Sequence, residues 1–143
     1  MEEVGGMIKI IYDGEGCVFG RLASVVAKDL LKGDFVDVIN CERVVISGDK
    51  KLFVEKILAK RRMGSGGSLK GPKYIRQSDR LVKRMIRGML PWDRARGRGA
   101  FKRLRCYVGD GGLKDEDLKN IVKLSHKKPM KYFAIKEAME LLK

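Results

Sequence analysis

The sequence predicts an α/β fold in which helices cover a mostly parallel sheet. Short apolar runs rich in isoleucine and valine alternate with segments whose apolar residues recur at helical spacing. Short connections join these elements in the order strand, helix, strand, strand and helix, which favours parallel strands covered by helices. At 143 residues, the chain is long enough to form one domain with a buried core.

Local residue patterns place each predicted element. In order, these elements are a strand over 7–12, a helix over 21–32, strands over 35–40 and 44–46, a helix over 50–62, a basic helix over 78–89, a strand over 104–108 and a C-terminal helix. Apolar residues at i, i+3, i+4 and i+8 from Leu22 share one face of the first helix, and Gly33 suits the left-handed conformation that ends it. Asp49 and Ser78 are predicted N-caps of the next two helices.

Four segments lack a clear pattern of regular structure. Residues 1–6 are predicted to be a loose N-terminal tail. Residues 64–71 hold four glycines and two serines, too many for a stable helix or strand, and residues 92–99 are predicted to be a basic loop. Residues 113–143 are predicted to be a C-terminal tail that ends in the last helix.

Positive charge is concentrated in one part of the chain. Residues 60–105 hold 16 of the 32 Lys and Arg residues but only two acids, Asp79 and Asp93, whereas the rest of the chain holds 16 residues of each sign. The formal net charge of +14 therefore lies in about one third of the chain. Clustered like charges repel one another, and a polyanion that neutralises them offsets this cost. The sequence therefore predicts a nucleic-acid partner for residues 60–105, called here the basic segment.

The residue types of the basic segment favour RNA. Arginine outnumbers lysine by 11 to 5, and its planar guanidinium group binds phosphate oxygens in pairs and stacks on bases. Tyr74 is predicted to stack on an exposed base, as aromatic residues of RNA-binding proteins do. For Trp92, stacking on a base and burial in the core are equally compatible with the sequence.

Two other functional classes are open at this stage. The pattern Gly14-x-Gly16-x-x-x-Gly20 between a strand and a helix approaches a dinucleotide-binding fingerprint, which suggests a small Rossmann-like enzyme as the alternative. Asp13 and Glu15 argue against this alternative, because they place negative charge where the pyrophosphate would lie. In the preferred interpretation, Gly20 permits close packing of helix on sheet. A DNA-binding regulatory protein is the third class, but no helix-turn-helix, zinc-finger or heptad pattern is present.

No pattern indicates catalysis, a metal or another cofactor. His126 is the single histidine and is predicted to be a solvated structural residue, since no catalytic partner is near it in sequence. Cys17, Cys41 and Cys106 lack the spacing of a zinc site and are predicted to be reduced thiols in a cytoplasmic protein. No apolar run approaches the ~20 residues that cross a bilayer. We therefore expect no small-molecule substrate and no membrane partner.

Residues 86–109, IRGMLPWDRARGRGAFKRLRCYVG, resemble the signature of a universal large-subunit ribosomal protein family, the one numbered L-thirteen. Gly88–Pro91 matches the Gly-Met-Leu-Pro core of the signature, and Gly97 matches its later small residue. Leu104–Gly109 matches its closing pattern, with Cys106 where an aliphatic residue is usual. The blocks at Gly20–Leu31, Val38–Gly48 and Ser78–Gly88 are also similar to the family.

The resemblance implies a three-layer α/β/α domain with a four-stranded mostly parallel sheet, a basic loop-rich extension and a C-terminal helix. It also implies a structural protein of the cytoplasmic ribosome that binds large-subunit ribosomal RNA beside neighbouring ribosomal proteins. The loop over Gly64–Pro72 and the C-terminal helix are similar to the archaeal–eukaryotic branch. The residues expected to contact RNA are Arg21, Lys60, Arg61, Arg62, Lys70, Lys73, Tyr74, Arg76, Arg80, Lys83, Arg84, Arg87, Arg94, Arg96, Arg98, Lys102, Arg103 and Arg105.

Overall fold

The computed structural model of the chain describes residues 3–4, 7–64, 67, 70–113, 121–125 and 127–142. The elements of this part are β1 (Glu3–Val4), β2 (Met7–Asp13), α1 (Phe19–Lys32), β3 (Phe35–Ile39), β4 (Val45–Ser47), α2 (Lys50–Arg62), α3 (Ser78–Arg87), α4 (Ala95–Lys102), β5 (Leu104–Cys106), β6 (Ile121–Lys123), β7 (Tyr132–Ala134) and α5 (Ile135–Leu141). A 3-10 turn over Cys41–Arg43 joins β3 to β4.

Four parallel strands form the main sheet in the order β6–β2–β3–β5. β3 is buried on both faces, since Val36 and Val38 point to one side, and Asp37 and Ile39 point to the other. Burial of both faces is what a parallel sheet between two covering layers requires. The fold therefore agrees with the predicted three-layer α/β/α class and its four-stranded parallel sheet.

Helices α1 and α3 pack on the face of the sheet that carries Val36 and Val38. The core side chains that these two helices contribute are Leu22, Ala23, Val26, Ala27 and Leu30 from α1, and Leu81, Val82 and Ile86 from α3. The predicted apolar face of the first helix is thus confirmed. Gly33 ends α1 with a φ of 123°, in the region that favours glycine.

One strand of the main sheet differs from the prediction. The predicted strand over 44–46 is not part of this sheet, because β4 pairs antiparallel with β7 in a separate two-stranded sheet. The fourth parallel strand is β6, from the part of the chain with no clear sequence pattern. A parallel neighbour needs a crossover of a dozen or more residues. The short turn after β3, where Asn40 has a φ of 52°, cannot provide that crossover.

The basic segment contains a helix where a loop is predicted. α4 (Ala95–Lys102) occupies most of the predicted loop over 92–99. The predicted loop is wrong. The sequence does not suggest a helix here because Gly97 and Gly99 each cost a helix about 1 kcal/mol relative to alanine. Tertiary packing overrides this preference, since Gly97 is buried against the backbone of Pro91, and Ala100 is fully buried.

Smaller differences occur at the ends of elements. The predicted loose tail contains β1, whose residues pair antiparallel with Met7 and Ile8. Ser78 is the first residue of α3 rather than its N-cap, a position that Gln77 takes. The predicted cap at Asp49 is confirmed, because its carboxylate accepts a 2.8 Å hydrogen bond from the backbone N–H of Lys51. The predictions for residues 1, 2, 5, 6, 65, 66, 68, 69, 114–120, 126 and 143, including solvated His126, lie outside the described residues.

Candidate nucleic-acid interface

Helix α3 is fixed in orientation by its apolar face and carries cations on the opposite face. Leu81, Val82 and Ile86 are buried in the core, so the rotation of the helix about its axis is set by packing. Arg80 and Arg84 are then exposed one turn apart. Like charges at this spacing repel, and a bound polyanion would relieve that repulsion.

Carboxylates of the described residues leave most arginines of the basic segment unpaired. In the described ranges, the ion pair recorded for the arginines of this segment joins Arg94 and Asp93, with 3.9 Å between Nε and Oδ2. Both side chains are 80% exposed, and ion pairs of this kind contribute little to stability. The exposed guanidinium groups are therefore available to an external anion.

Exposure separates the 18 predicted contact residues into two groups. Half-buried are Arg61, Tyr74, Lys83, Arg87 and Arg103. Exposed are Arg21, Lys60, Arg62, Lys70, Lys73, Arg76, Arg80, Arg84, Arg94, Arg96, Arg98, Lys102 and Arg105. Most of the predicted set thus lies where a large ligand can reach it.

Three cation–aromatic contacts, made to two rings, flank the exposed side of α3. The Lys60 ammonium and the Arg84 guanidinium lie 5.7 and 5.9 Å from the centre of the Tyr74 ring. The Arg87 guanidinium lies 4.9 Å from the centre of the Trp92 ring. These contacts limit the freedom of three cations, so less entropy is lost when they bind phosphate.

Trp92 lies at the surface rather than in the core. Its side chain is 41% exposed and lies edge-to-face on Phe101, with 5.2 Å between ring centres. The Lys83 ammonium lies 5.2 Å from the centre of the Phe101 ring. The Arg87 guanidinium lies over the Trp92 ring, so the ring helps to position this cation.

Three arginines of the predicted set donate hydrogen bonds to backbone carbonyls at the C-terminal ends of helices. The Nη2 atom of Arg103 donates a 2.7 Å hydrogen bond to the carbonyl of Leu30, and Nη2 of Arg96 donates a 2.9 Å bond to the carbonyl of Leu31. Both carbonyls lie in the last turn of α1, where helix carbonyls lack intrahelical partners. Arg61 similarly donates to the carbonyl of Leu142 at 2.9 Å. These side chains hold elements together in addition to any contact with RNA.

We expect Arg103→Ala to lower the free energy of unfolding by about 1.5–3 kcal/mol, the range for a hydrogen bond to a charged group. Arg98→Ala, an exposed position in α4, is the matched control and should change it by less than about 0.5 kcal/mol. Urea denaturation followed by circular dichroism measures both. Equal effects of the two substitutions would show that the bond from Arg103 to Leu30 does not support the fold.

Arg21 lies in a different cationic cluster, which the sequence pattern did not reveal. Its Nη1 atom donates a 3.3 Å hydrogen bond to the carbonyl of Lys127. Lys127 and Lys128 line the same shallow cleft of about 260 Å³. The sequence signal was the pair of lysines before Pro129, in a stretch without a recognisable pattern.

The turn between β2 and α1 does not resemble a dinucleotide site. The Asp13 carboxylate is buried there and accepts hydrogen bonds from the backbone N–H of Glu15 and from Nδ2 of Asn40. A Cβ at Gly14 would lie 2.8 Å from the carbonyl oxygen of Ile39, so this glycine is required for packing. A buried carboxylate at this turn repels a pyrophosphate. The predicted close packing at Gly20 is wrong, because a Cβ at Gly20 would meet open space.

Potential catalytic and metal groups play other roles. Among the described residues, no three His, Cys, Asp or Glu side chains are grouped to hold a metal ion. The cysteines are free thiols, with Cys17 and Cys41 buried and Cys106 half-buried. A hydrogen bond with Cys41 and burial raise the pKa of Cys106 well above its usual value, so it stays protonated. No helix in the described ranges has the length and apolar character needed to cross a membrane.

Residues 8–112 match the family of ribosomal protein L13. The chain belongs to this family. The large ribosomal subunit protein uL13 of Methanopyrus kandleri is 50% identical over 99 residues, which are 69% of this chain and 61% of that protein. Its counterpart from Archaeoglobus fulgidus is 43% identical over 99 residues, 69% of this chain and 62% of that protein. The match with these two relatives thus spans about six tenths of their length.

A third relative covers most of both chains. The large ribosomal subunit protein uL13 of Methanocaldococcus jannaschii is 38% identical over 130 residues, 89% of this chain and 92% of that protein. Family membership confirms the resemblance seen at residues 86–109, and all three relatives are archaeal, as the resemblance to the archaeal–eukaryotic branch implied. The family consists of structural ribosomal proteins. Membership of this family confirms the prediction that the chain is not an enzyme.

Proposed function

We propose that the chain is a structural component of the large ribosomal subunit, where it binds large-subunit ribosomal RNA and helps that RNA to fold and assemble. The observation that carries the proposal is the set of exposed, unneutralised arginines on α3 and α4, in a member of a ribosomal protein family. The relatives are named as large-subunit proteins, which supports a location on the ribosome beside other ribosomal proteins.

The fold suits RNA binding by preorganisation. Packing against the core holds α3, and hydrogen bonds from Arg96 and Arg103 link the region of α4 to the end of α1. The exposed cations therefore occupy fixed relative positions before the RNA arrives, which reduces the entropy lost on binding. Contacts to phosphates carry no base sequence information, so specificity comes from the shape of the folded RNA.

We expect the affinity of the isolated protein for deproteinised large-subunit rRNA to fall steeply with salt. If about six phosphates are neutralised, the plot of log K against log salt concentration should have a slope of about −4 to −5. Filter binding between about 50 and 300 mM KCl measures this slope. The small-subunit rRNA of the same ribosome is the control, and it should bind more weakly at every salt concentration.

A flat salt dependence, or equal binding of both rRNAs, would contradict the proposal. A second measurement uses the protein in its cell. After a wash with high salt, the chain should sediment with large subunits in a sucrose gradient. A DNA-binding protein would instead prefer B-form duplex DNA in the filter assay, and a dinucleotide enzyme would bind a free dinucleotide saturably.

A further inference from the structure

A cleft beside α3 combines an apolar floor with a cationic rim. It lies between the end of α2, the chain around Tyr74 and one side of α3, and its volume is about 480 Å³. The floor includes the Tyr74 ring and the side chains of Met63 and Met85. Met63 is 69% exposed although it is a large apolar residue, so a ligand in the cleft would remove apolar surface from water.

Among the described residues that line the cleft, every charged side chain is a cation. Lys60, Lys73, Arg84 and Arg87 line it, and no Asp or Glu does. The volume lies within the range of about 300–1,000 Å³ typical of small-ligand sites. A fitting ligand is therefore anionic at one end and apolar at the other.

The position of Arg84 is fixed while most of its donors are free to bind. Its Nη1 atom donates a 2.9 Å hydrogen bond to the carbonyl of Lys73, and the guanidinium lies beside the Tyr74 ring. A guanidinium group has five N–H donors, so this bond leaves enough for a bidentate contact with phosphate. Arg84 thus presents phosphate-binding atoms next to an aromatic surface.

We propose that this cleft takes one unstacked nucleotide of the RNA, with its phosphate on Lys60 and Arg84 and its base against Tyr74 and Met63. The inference rests on the proposed function and specifies the ligand of one site within it. A nucleotide carries a phosphate and a flat aromatic group separated by a single sugar. The cleft pairs cations and a ring over a similarly short distance, with two cations 5.7 and 5.9 Å from the ring centre. An unpaired, splayed base is the form in which proteins stack on RNA bases.

The experiment uses the full chain and large-subunit rRNA transcribed with 4-thiouridine, which cross-links to protein in contact with the base when irradiated. Tyr74→Leu removes the ring and keeps the charge, and Tyr74→Phe is the matched control that keeps the ring. We expect Tyr74→Leu to weaken binding by about 10-fold, within the range measured for loss of one stacked base. The salt slope should stay unchanged because no cation is removed. Tyr74→Phe and the natural chain should cross-link within the cleft with equal yield.

A second variant protects the test against a folding defect, because Tyr74 also packs against the core. Met63→Glu places a carboxylate at an exposed position of the cleft, and Leu52→Glu makes the same charge change at the other end of α2. Met63→Glu should weaken binding and reduce the cleft cross-link, whereas Leu52→Glu should do neither. Thermal unfolding of all variants checks that each is folded.

The outcomes separate the inference from the proposed function. If the natural chain binds rRNA with a steep salt slope but neither Tyr74→Leu nor Met63→Glu changes affinity or cross-linking, the nucleotide site is wrong and the proposed function stands. If the natural chain shows no salt-dependent binding, both are wrong. If the cleft cross-links in intact large subunits to a neighbouring protein and not to RNA, the site binds an acidic peptide and the inference is overturned.

Discussion

Replacing Gly97 with alanine is expected to lower the free energy of unfolding by at least about 3 kcal/mol, the upper part of the range for overpacking a protein interior. A Cβ at this position would overlap the carbonyl oxygen of Pro91 and lie 2.5 Å from its carbonyl carbon. Both obstacles are backbone atoms, which cannot move aside as a flexible side chain can. The substitution therefore pushes α4 away from the turn that follows α3. This movement also disturbs the packing of Ala100, which is buried one helical turn further on.

Gly99→Ala is the matched control for this prediction. Gly99 lies two residues later in α4, and a Cβ there would meet open space. Alanine should therefore stabilise the helix by up to about 1 kcal/mol, since it loses less backbone entropy on folding than glycine. Urea denaturation curves of the two variants should shift in opposite directions. A shift of Gly97→Ala as small as that of the control would mean that α4 does not pack against Pro91 as the structure shows.

The sequence predicted best those elements whose signals are local. The capping carboxylate of Asp49, the glycine at position 33 and the apolar spacing from Leu22 each act within one or two turns, and all three occur as predicted. The partner of a strand is not a local property. β6, which was not predicted, takes the place in the main sheet that was expected of β4, because chain connectivity rather than residue type decides which strands can lie parallel.

Helix α4 shows the opposite case, in which tertiary packing overrides local preference. Gly97 and Gly99 disfavour a helix, but Gly97 is the residue that lets α4 approach the Pro91 backbone. The small residue was visible in the sequence as part of the resemblance at residues 86–109. Its physical cause, a contact between two backbones, requires the structure.

The candidate interface was predictable as a charge distribution but not residue by residue. The cluster of arginines and the paucity of acids in the basic segment are properties of composition, and most of these side chains are exposed. Composition does not distinguish Arg103, which binds the Leu30 carbonyl, from Arg98, which is exposed. Arg21 is separated from Lys127 and Lys128 by more than 100 residues in the sequence, although the fold brings the three together.

In the function that we propose, arginine has two roles in this chain, and they support each other. Arg96 and Arg103 use part of their donor capacity on the free carbonyls of α1. These bonds fix the region that presents the exposed cations. A scaffold of this kind tolerates the mutual repulsion of its charges because the core residues of α3 hold the helix in place, and a bound RNA would remove the repulsion. Binding of rRNA should therefore raise the melting temperature of the protein, by mass action and by relief of repulsion.

The double substitution Arg80→Glu and Arg84→Glu is expected to weaken binding to large-subunit rRNA by at least about 100-fold, since two charge-assisted contacts of about 1.5 kcal/mol each are lost. Both residues are exposed on α3, so the core contacts of the helix are kept. The two glutamates repel each other at the same spacing as the two arginines, but the variant loses the hydrogen bond from Arg84 to the Lys73 carbonyl, so thermal unfolding checks that it is folded. The slope of log K against log salt concentration should decrease in magnitude by about 2, one for each lost phosphate contact.

The control for this prediction is the double substitution Lys51→Glu and Lys136→Glu, which lowers the net charge by the same amount at exposed positions outside the basic segment. If binding depends on net charge alone, both double variants should lose affinity equally. If α3 contacts the RNA, as we propose, the control should retain a salt slope equal to that of the natural chain and lose less than about 10-fold in affinity, the residual effect of long-range charge. Filter binding at several salt concentrations distinguishes the two results, and an equal loss would exclude α3 as the RNA-binding face.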